Sequence, residues 1–384
     1  MALATQPTCD ASDVRKLVVA GQLAFVPTGI LNTILGPMLP ILIARWSLND
    51  TQAGNLFLIQ FFASLVGVQL SGVLLAKLGF RPAFLLGLVL MSVGMATLYS
   101  GPAWLGMCAV AVYGLGLGFI IPTDNLMIAE LSPQGRAAAV SLLNFYWGVG
   151  AVFCSLSIAW AYAHKLLPLF LGAVSIFPIL LAIGVYRLPF PGPVKSTDAS
   201  APWREIWKTP AFWLFAVVFF LYPGAETAVG GWIGSYVTRM GEAKMGPMMP
   251  AFFWCALTVG RASANFVLKR VTEQWVLRAG FGLGAAGIVL MLQSRSPAGV
   301  ILSALITGVS FAILYPITVA RLSHHFGPAA RSVGPVMFSL AALGPAIVPW
   351  TVGVVSNATG NLRVGLGVPL AATLILLIIH LREW

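Results

Sequence analysis
Apolar residues along the chain fall into long runs, separated by short joins that hold Pro, Gly or charge. Twelve of these runs are predicted to be membrane-crossing helices, at roughly 17–43, 53–76, 82–100, 104–129, 137–162, 166–188, 211–237, 248–269, 275–293, 297–321, 332–356 and 363–380, because a helix needs about 20 mostly apolar residues to cross a bilayer. The join from Arg187 to Pro210 differs from the rest in being long, polar and rich in proline. It divides the chain into residues 1–190, a linker at 191–210, and residues 211–384, with six runs on each side. The expected architecture is all-α: twelve transmembrane helices in two six-helix halves joined by a cytoplasmic linker.

Run 211–237 departs furthest from a plain apolar helix. Pro223, Gly224, Gly230 and Gly231 interrupt it, and Glu226 lies between them. A carboxylate near the bilayer centre costs about 2.5–3.5 kcal/mol on the gentler insertion scale, so it normally faces a cavity or a partner. The run is therefore predicted to be a weakened helix that walls a binding cavity. Further breaks, at which helices would bend, are expected at Gly36-Pro37, Pro122, Pro316 and Gly344-Pro345.

Composition agrees with a membrane setting. Hydrophobic residues make up 59%, charged residues 9%, and mean hydropathy is +0.91, whereas an average soluble domain is about 25% charged. The net charge of +11 would point to nucleic acid in a soluble protein, but its placement gives another reason for it. With a cytoplasmic N-terminus, the outer joins hold only Arg45, Lys165, Arg239, Lys244, Arg295 and Arg363, and the inner ones more than twice as many basic residues. That bias orients a multi-pass protein with both termini in the cytoplasm, most simply in a bacterial inner membrane. The polar first sixteen residues hold no signal-peptide core, so the first helix is expected to direct insertion.

Several function classes drop out. The four cysteines (Cys9, Cys108, Cys154, Cys255) show neither metal-ligand spacing nor a disulfide framework. Gly282-Leu-Gly284-Ala-Ala-Gly287 has no strand before it and reads as helix packing. His324-His325 reads as a solvated pair in a cytoplasmic loop. No phosphate-binding loop and no nucleophile–base constellation is present, which argues against an ATP-driven pump or an enzyme. Neither a metal nor a cofactor is expected.

The two halves resemble each other. Span four ends GFIIPTDNLMIAELSPQGRAAA and span ten ends SFAILYPITVARLSHHFGPAARS, each with an inner proline (Pro122, Pro316) and a Leu-Ser exit. Halves repeated about an axis along the membrane normal mark one large transporter class. The join Gly72-Val-Leu-Leu-Ala-Lys77-Leu-Gly79-Phe-Arg81 resembles the loop signature of the major facilitator superfamily, with Ala76 at its acidic position and Phe80 at its first closing arginine. Other stretches resemble the fucose-permease and glucose/galactose branch of that family. They are Leu35-Gly-Pro-Met-Leu-Pro40, Gly116-Leu-Gly118 with Asn125, Asn144 with Gly148-Val-Gly-Ala151, Tyr222-Pro-Gly-Ala-Glu226 with Gly231-Trp232, Tyr315-Pro316 and Pro349-Trp350.

That resemblance implies the major facilitator fold and secondary transport of a small, sugar-like polar solute by alternating access, with proton symport as the favoured coupling. The branch's two proton-linked acids are replaced here by Thr33 and Ile121, which leaves Glu226 and Asp124 as the proton-coupling candidates. Asn32, Asn125 and Asn144 are candidate ligands for hydroxyl groups, and Trp147, Trp232, Tyr236, Tyr315 and Trp350 are candidate stacking faces. Gly72, Lys77, Gly79, Arg81, Arg136 and Arg261 are candidate gate and loop residues, with Asp124 one partner open to Arg261. The expected partners are the solute, a proton and the bilayer, with the protein a monomer. Efflux of amphipathic compounds, uniport, and a non-transporting receptor on the same fold are the rival readings.

Overall fold
The computed structural model describes residues 11–193 and 203–382. Residues 194–202 of the expected linker, and Cys9, lie outside the described residues. The sequence before the linker forms α1 (Ala11–Thr33), α2 (Leu35–Trp46), α3 (Asp50–Leu78), α4 (Phe80–Thr97), α5 (Ala103–Leu131), α6 (Arg136–Ala163) and α7 (Leu167–Val185). After a short α8 (Trp203–Ile206) come α9 (Pro210–Arg239), α10 (Met249–Leu268), α11 (Glu273–Gln293), α12 (Pro297–Phe311), α13 (Leu314–Phe326), α14 (Ala330–Thr359), α15 (Leu362–Gly365) and α16 (Gly367–Leu381). Among the described residues, 11 helical stretches are long and apolar enough to cross a membrane, α12–α13 and α15–α16 counting as one each. The helix α10 falls outside that set, yet its 20 residues reach about 30 Å, the thickness of the hydrocarbon core. The architecture is that of an all-helical, multi-pass membrane protein.

The described residues form two compact units. One joins the described residues up to Asn32 to Ala63–Gly150 and to residues 168–193. The other joins Thr33–Phe62 and Ala151–Leu167 to the described residues beyond 202. Thus α2 and the start of α3 are packed within the unit built mainly from the second half of the sequence.

Of the five breaks expected at Pro and Gly, two interrupt a helix. The span at 17–43 is two helices, α1 and α2, parted at Ile34, and span ten is parted between Phe311 and Leu314. In each case a proline four residues on (Pro37 for Thr33, Pro316 for Ala312) lacks the N–H that would bond back to that carbonyl. The helices α5, α9 and α14 instead run unbroken through Pro122, Pro223 and Pro345. The weakened helix expected at 211–237 is a continuous one. Proline is tolerated in membrane helices where neighbouring groups satisfy the freed carbonyl.

The glycines beside those prolines serve close packing between α9 and α14. A Cβ on Gly224 would lie 2.5 Å from Val348 Cγ2 and 2.9 Å from the Gly344 carbonyl, and one on Gly344 would collide with the Phe220 carbonyl. Gly334, on the same α14, has only Phe338 Cε2 nearby, at 3.7 Å. Alanine is favoured over glycine inside a helix by about 1 kcal/mol, whereas overpacking costs about 1–3 kcal/mol. Gly344→Ala is therefore expected to lower the melting temperature of the detergent-purified protein, and Gly334→Ala to keep or raise it. Equal melting of the two variants would show that the close approach contributes nothing.

Candidate functional site
Midway along α9, Glu226 is nearly buried, 9% exposed, and the cluster around it draws on four other helices. One helical turn before it, the Tyr222 hydroxyl lies 2.6 Å from Glu226 Oε2 and 2.7 Å from the backbone carbonyl of Phe311, the last residue of α12. From α10, Arg261 Nη2 lies 3.6 Å from the same Oε2. From α13, the Tyr315 ring stacks over Tyr222 with centroids 6.2 Å apart, while Phe311 and Phe281 meet Tyr222 edge-on. The result is an acid, a base and a hydroxyl inside an aromatic box. Sequence spacing separates Glu226 from Arg261 by more than a whole loop, so only packing shows them as a pair.

Asp124 is placed differently. On α5 it is fully buried, and neither carboxyl oxygen has a hydrogen-bond partner among the described residues. It lies against α1, where a Cβ on Gly21 would collide with its Oδ1. Arg261, for which Asp124 was one open partner, is paired with Glu226 instead. An isolated carboxylate in such surroundings is costly, a neutral carboxyl much less so.

The other sequence candidates are scattered. The Asn125 and Asn144 amides donate to carbonyls of their own helices, Ile121 and Val140, each at 2.8 Å. Asn32 and Trp147 are half-buried. Tyr236 accepts from Arg363 Nε at 3.1 Å. Trp232 is completely buried, stacks on Phe57 and donates to the Pro349 carbonyl at 2.9 Å; in this conformation it offers no face to a solute. In the loop signature, Gly79 has φ +81, a left-handed conformation that favours glycine. Arg81 donates to the Tyr186 carbonyl and lies 4.6 Å from that ring's centre, while a Cβ on Gly72 would meet nothing within 4 Å and Lys77 and Arg136 are exposed.

A second polar cluster was not among the sequence candidates. At the start of α3, Asp50 receives both Arg239 Nη atoms, one at 2.9 Å, and the Ser356 hydroxyl. One turn further along α3, Asn55 accepts from Trp350 Nε1 at 3.0 Å, and a Cβ on Gly54 would lie 3.1 Å from the Trp350 backbone. Phe57 then stacks on Trp232. Charge, amide and aromatic layers thus form a seam joining α3 to α9 and α14. Asp50 and Arg239, opposite charges at the ends of spans two and seven on one membrane side, were the available sequence signal.

The His pair also lies elsewhere than expected. His324 and His325 are in the last turn of α13, not in a loop. They line a cavity of about 720 Å³ with Phe215, Glu273, Ala320 and Arg321, in which Arg321 Nε and Glu273 Oε2 are 3.5 Å apart. Among the described residues no group of His, Cys, Asp and Glu is arranged to hold a metal.

A multi-pass helical bundle with a buried acid–base pair and a glycine-lined seam is the construction of a membrane transport protein. The chain belongs to the Major Facilitator Superfamily, whose sequence profile matches residues 23–349. Its members are non-enzymatic transporters of small molecules. Among curated relatives it is 26% identical over 291 residues to the Bypass of stop codon protein 6 of Saccharomyces cerevisiae, which covers 68% of this chain and 58% of that protein. The chain thus matches little more than half of that relative. It is 21% identical over 390 residues to the glucose/mannose transporter of Bacillus subtilis, covering 96% of each. It is 23% identical over 364 residues to the glucose/galactose transporter of Brucella abortus, covering 88% of this chain and 87% of that one. Among solved structures, a bacterial homologue of the human lysosomal transporter Spinster superposes with TM-score 0.78 at 14% identity, covering 95% of each chain. The E. coli fucose:proton symporter gives 0.64 at 17% identity, covering 96% of this chain and 98% of that one. At these identities the superpositions establish the fold.

Proposed function
We propose that the protein moves a small, neutral, sugar-like solute across the membrane by alternating access, coupled to protons. The observation that carries this reading is the Tyr222–Glu226–Arg261 cluster, midway along a helix of spanning length. Its acid is held so that gain or loss of one proton changes its contact with a fixed cation. Relatives named for glucose, mannose and galactose transport support a sugar-like substrate. Two six-helix halves, 1–190 and 211–384, rock about the linker, with both termini cytoplasmic. The seam of Asp50, Arg239 and Ser356 is the outer gate in its closed state. Asp124 is a second acid whose charge changes during the cycle. Half-buried Asn32, Asn125, Trp147, Tyr315 and Trp350 and exposed Asn144 are the ligand candidates with surface to offer a solute.

The test is uptake of labelled hexoses by proteoliposomes under an imposed proton gradient. Saturable accumulation that collapses with a protonophore supports the reading. Saturable uptake that only equilibrates would make the protein a uniporter. Sugar-insensitive, dye-competed flux would move it to the amphipathic-efflux class.

A further inference from the structure
Glu226, Tyr222 and the end of α12 make two hydrogen-bond contacts around one phenol. The Tyr222 oxygen is within hydrogen-bond reach of Glu226 Oε2 at 2.6 Å and of the Phe311 carbonyl at 2.7 Å. A phenol has one proton to donate, and a carbonyl has none. If Glu226 is ionised, the Tyr222 proton goes to one oxygen or the other, and both contacts are satisfied only when Glu226 brings a proton of its own. Then the carboxyl O–H donates to the Tyr222 oxygen, and the Tyr222 O–H donates to the Phe311 carbonyl.

The second acceptor lies at a particular place. Phe311 ends α12, and the last carbonyls of a helix have no amide of their own helix to bond. The helix is interrupted there, at Ala312 and Ile313, which keep right-handed backbone angles, before resuming as α13. Among the described residues, the charged and titratable groups around Glu226 are Tyr222 on α9 itself, Arg261 from α10 and Tyr315 from α13, while α11 and α12 bring Phe281 and Phe311 against Tyr222 and His380 of α16 lies behind Phe281.

We propose that Tyr222 is a positioning residue that relays the protonation state of Glu226 to the break between α12 and α13. With the proton on Glu226, the relay caps α12 and the break is held. When the proton leaves, Tyr222 turns its hydrogen to the carboxylate, which draws closer to Arg261, and the Phe311 carbonyl loses its donor. One proton thus loosens the joint in span ten without any solute touching it. The relay rests on Glu226 being the coupling acid, as proposed above.

Hydrogen exchange of the purified full-length protein, read at residues 312–317 under mildly alkaline conditions, tests it without a known substrate. Glutamine at 226 carries a permanent N–H donor, so Glu226→Gln mimics the protonated acid. Glu226→Gln is expected to slow exchange at the break about twofold to tenfold, the worth of one hydrogen bond, and Tyr222→Phe to speed it. The Tyr222→Phe/Glu226→Gln double variant is expected to behave as Tyr222→Phe alone. If Glu226→Gln slows exchange equally with and without the Tyr222 hydroxyl, the relay is wrong and Glu226 acts by another route, leaving the coupling reading intact. If Glu226→Gln changes exchange in neither background, the relay is overturned. If that variant also accumulates solute uphill in proteoliposomes, the coupling reading falls with it.

Discussion
Glu226→Gln is expected to abolish uphill accumulation while leaving counterflow exchange of the same solute intact. A permanently neutral side chain keeps the shape and one donor of the protonated acid, so steps needing a neutral residue proceed. The step in which the proton is released does not. For a neutral solute carried with one proton, a membrane potential of 100 mV supplies about 2.3 kcal/mol per charge, enough for roughly fiftyfold accumulation. The variant should reach a ratio of one. The pairing with Arg261 gives a companion result: Arg261→Gln leaves the acid in the interior without its cation, and the loss of one partner from a buried pair costs about 3–5 kcal/mol. The Glu226→Gln/Arg261→Gln double variant should therefore be better folded than Arg261→Gln alone. Normal accumulation by Glu226→Gln would remove Glu226 from coupling and move the weight to Asp124.

Asp50→Asn is expected to open the seam. Asp50 is nearly buried, while the Arg239 side chain is 40% exposed. The bidentate guanidinium contact and the Ser356 hydroxyl are charge-assisted bonds. Discounted for the exposure of Arg239, their loss should shift the closed-to-open balance by about 1.4–2.7 kcal/mol, or roughly tenfold to a hundredfold. Ser235, buried one turn after the Gly231 that meets Phe57, offers a conservative reporter. In a background lacking the native cysteines, Ser235→Cys should react with a membrane-impermeant thiol reagent at least about tenfold faster when Asp50 is Asn. Arg239→Gln should have the same effect. A lower melting temperature with unchanged labelling would make the cluster a structural tie rather than a gate.

The places where the sequence misled show which information it lacks. Prolines at 122, 223 and 345 read like those at 37 and 316, because the local rule for a missing N–H is the same at each. Which helix breaks depends on what packs beside it, and Gly224 and Gly344 lie in the tight contact between α9 and α14. Trp232 was a candidate stacking face, but the two glycines before it admit Phe57 and Trp254, so the indole is enclosed. Asp50 was not among the candidates, since nothing local distinguishes a solvated span end from one that meets Arg239.

The sequence by itself determined the spans, the membrane setting, the family resemblance and the presence of an acid in the middle of α9. A bilayer imposes those features residue by residue: each spanning segment must satisfy its own backbone and present apolar side chains, and a charge within it stands out. Only the tertiary structure decided the partners. That Glu226 meets Tyr222 and Arg261, that Tyr222 reaches the end of α12, and that Asp50 is held by Arg239 and Ser356 all depend on helices far apart in sequence. Such contacts are fixed by interhelical packing, and no local pattern encodes which distant side chain will arrive.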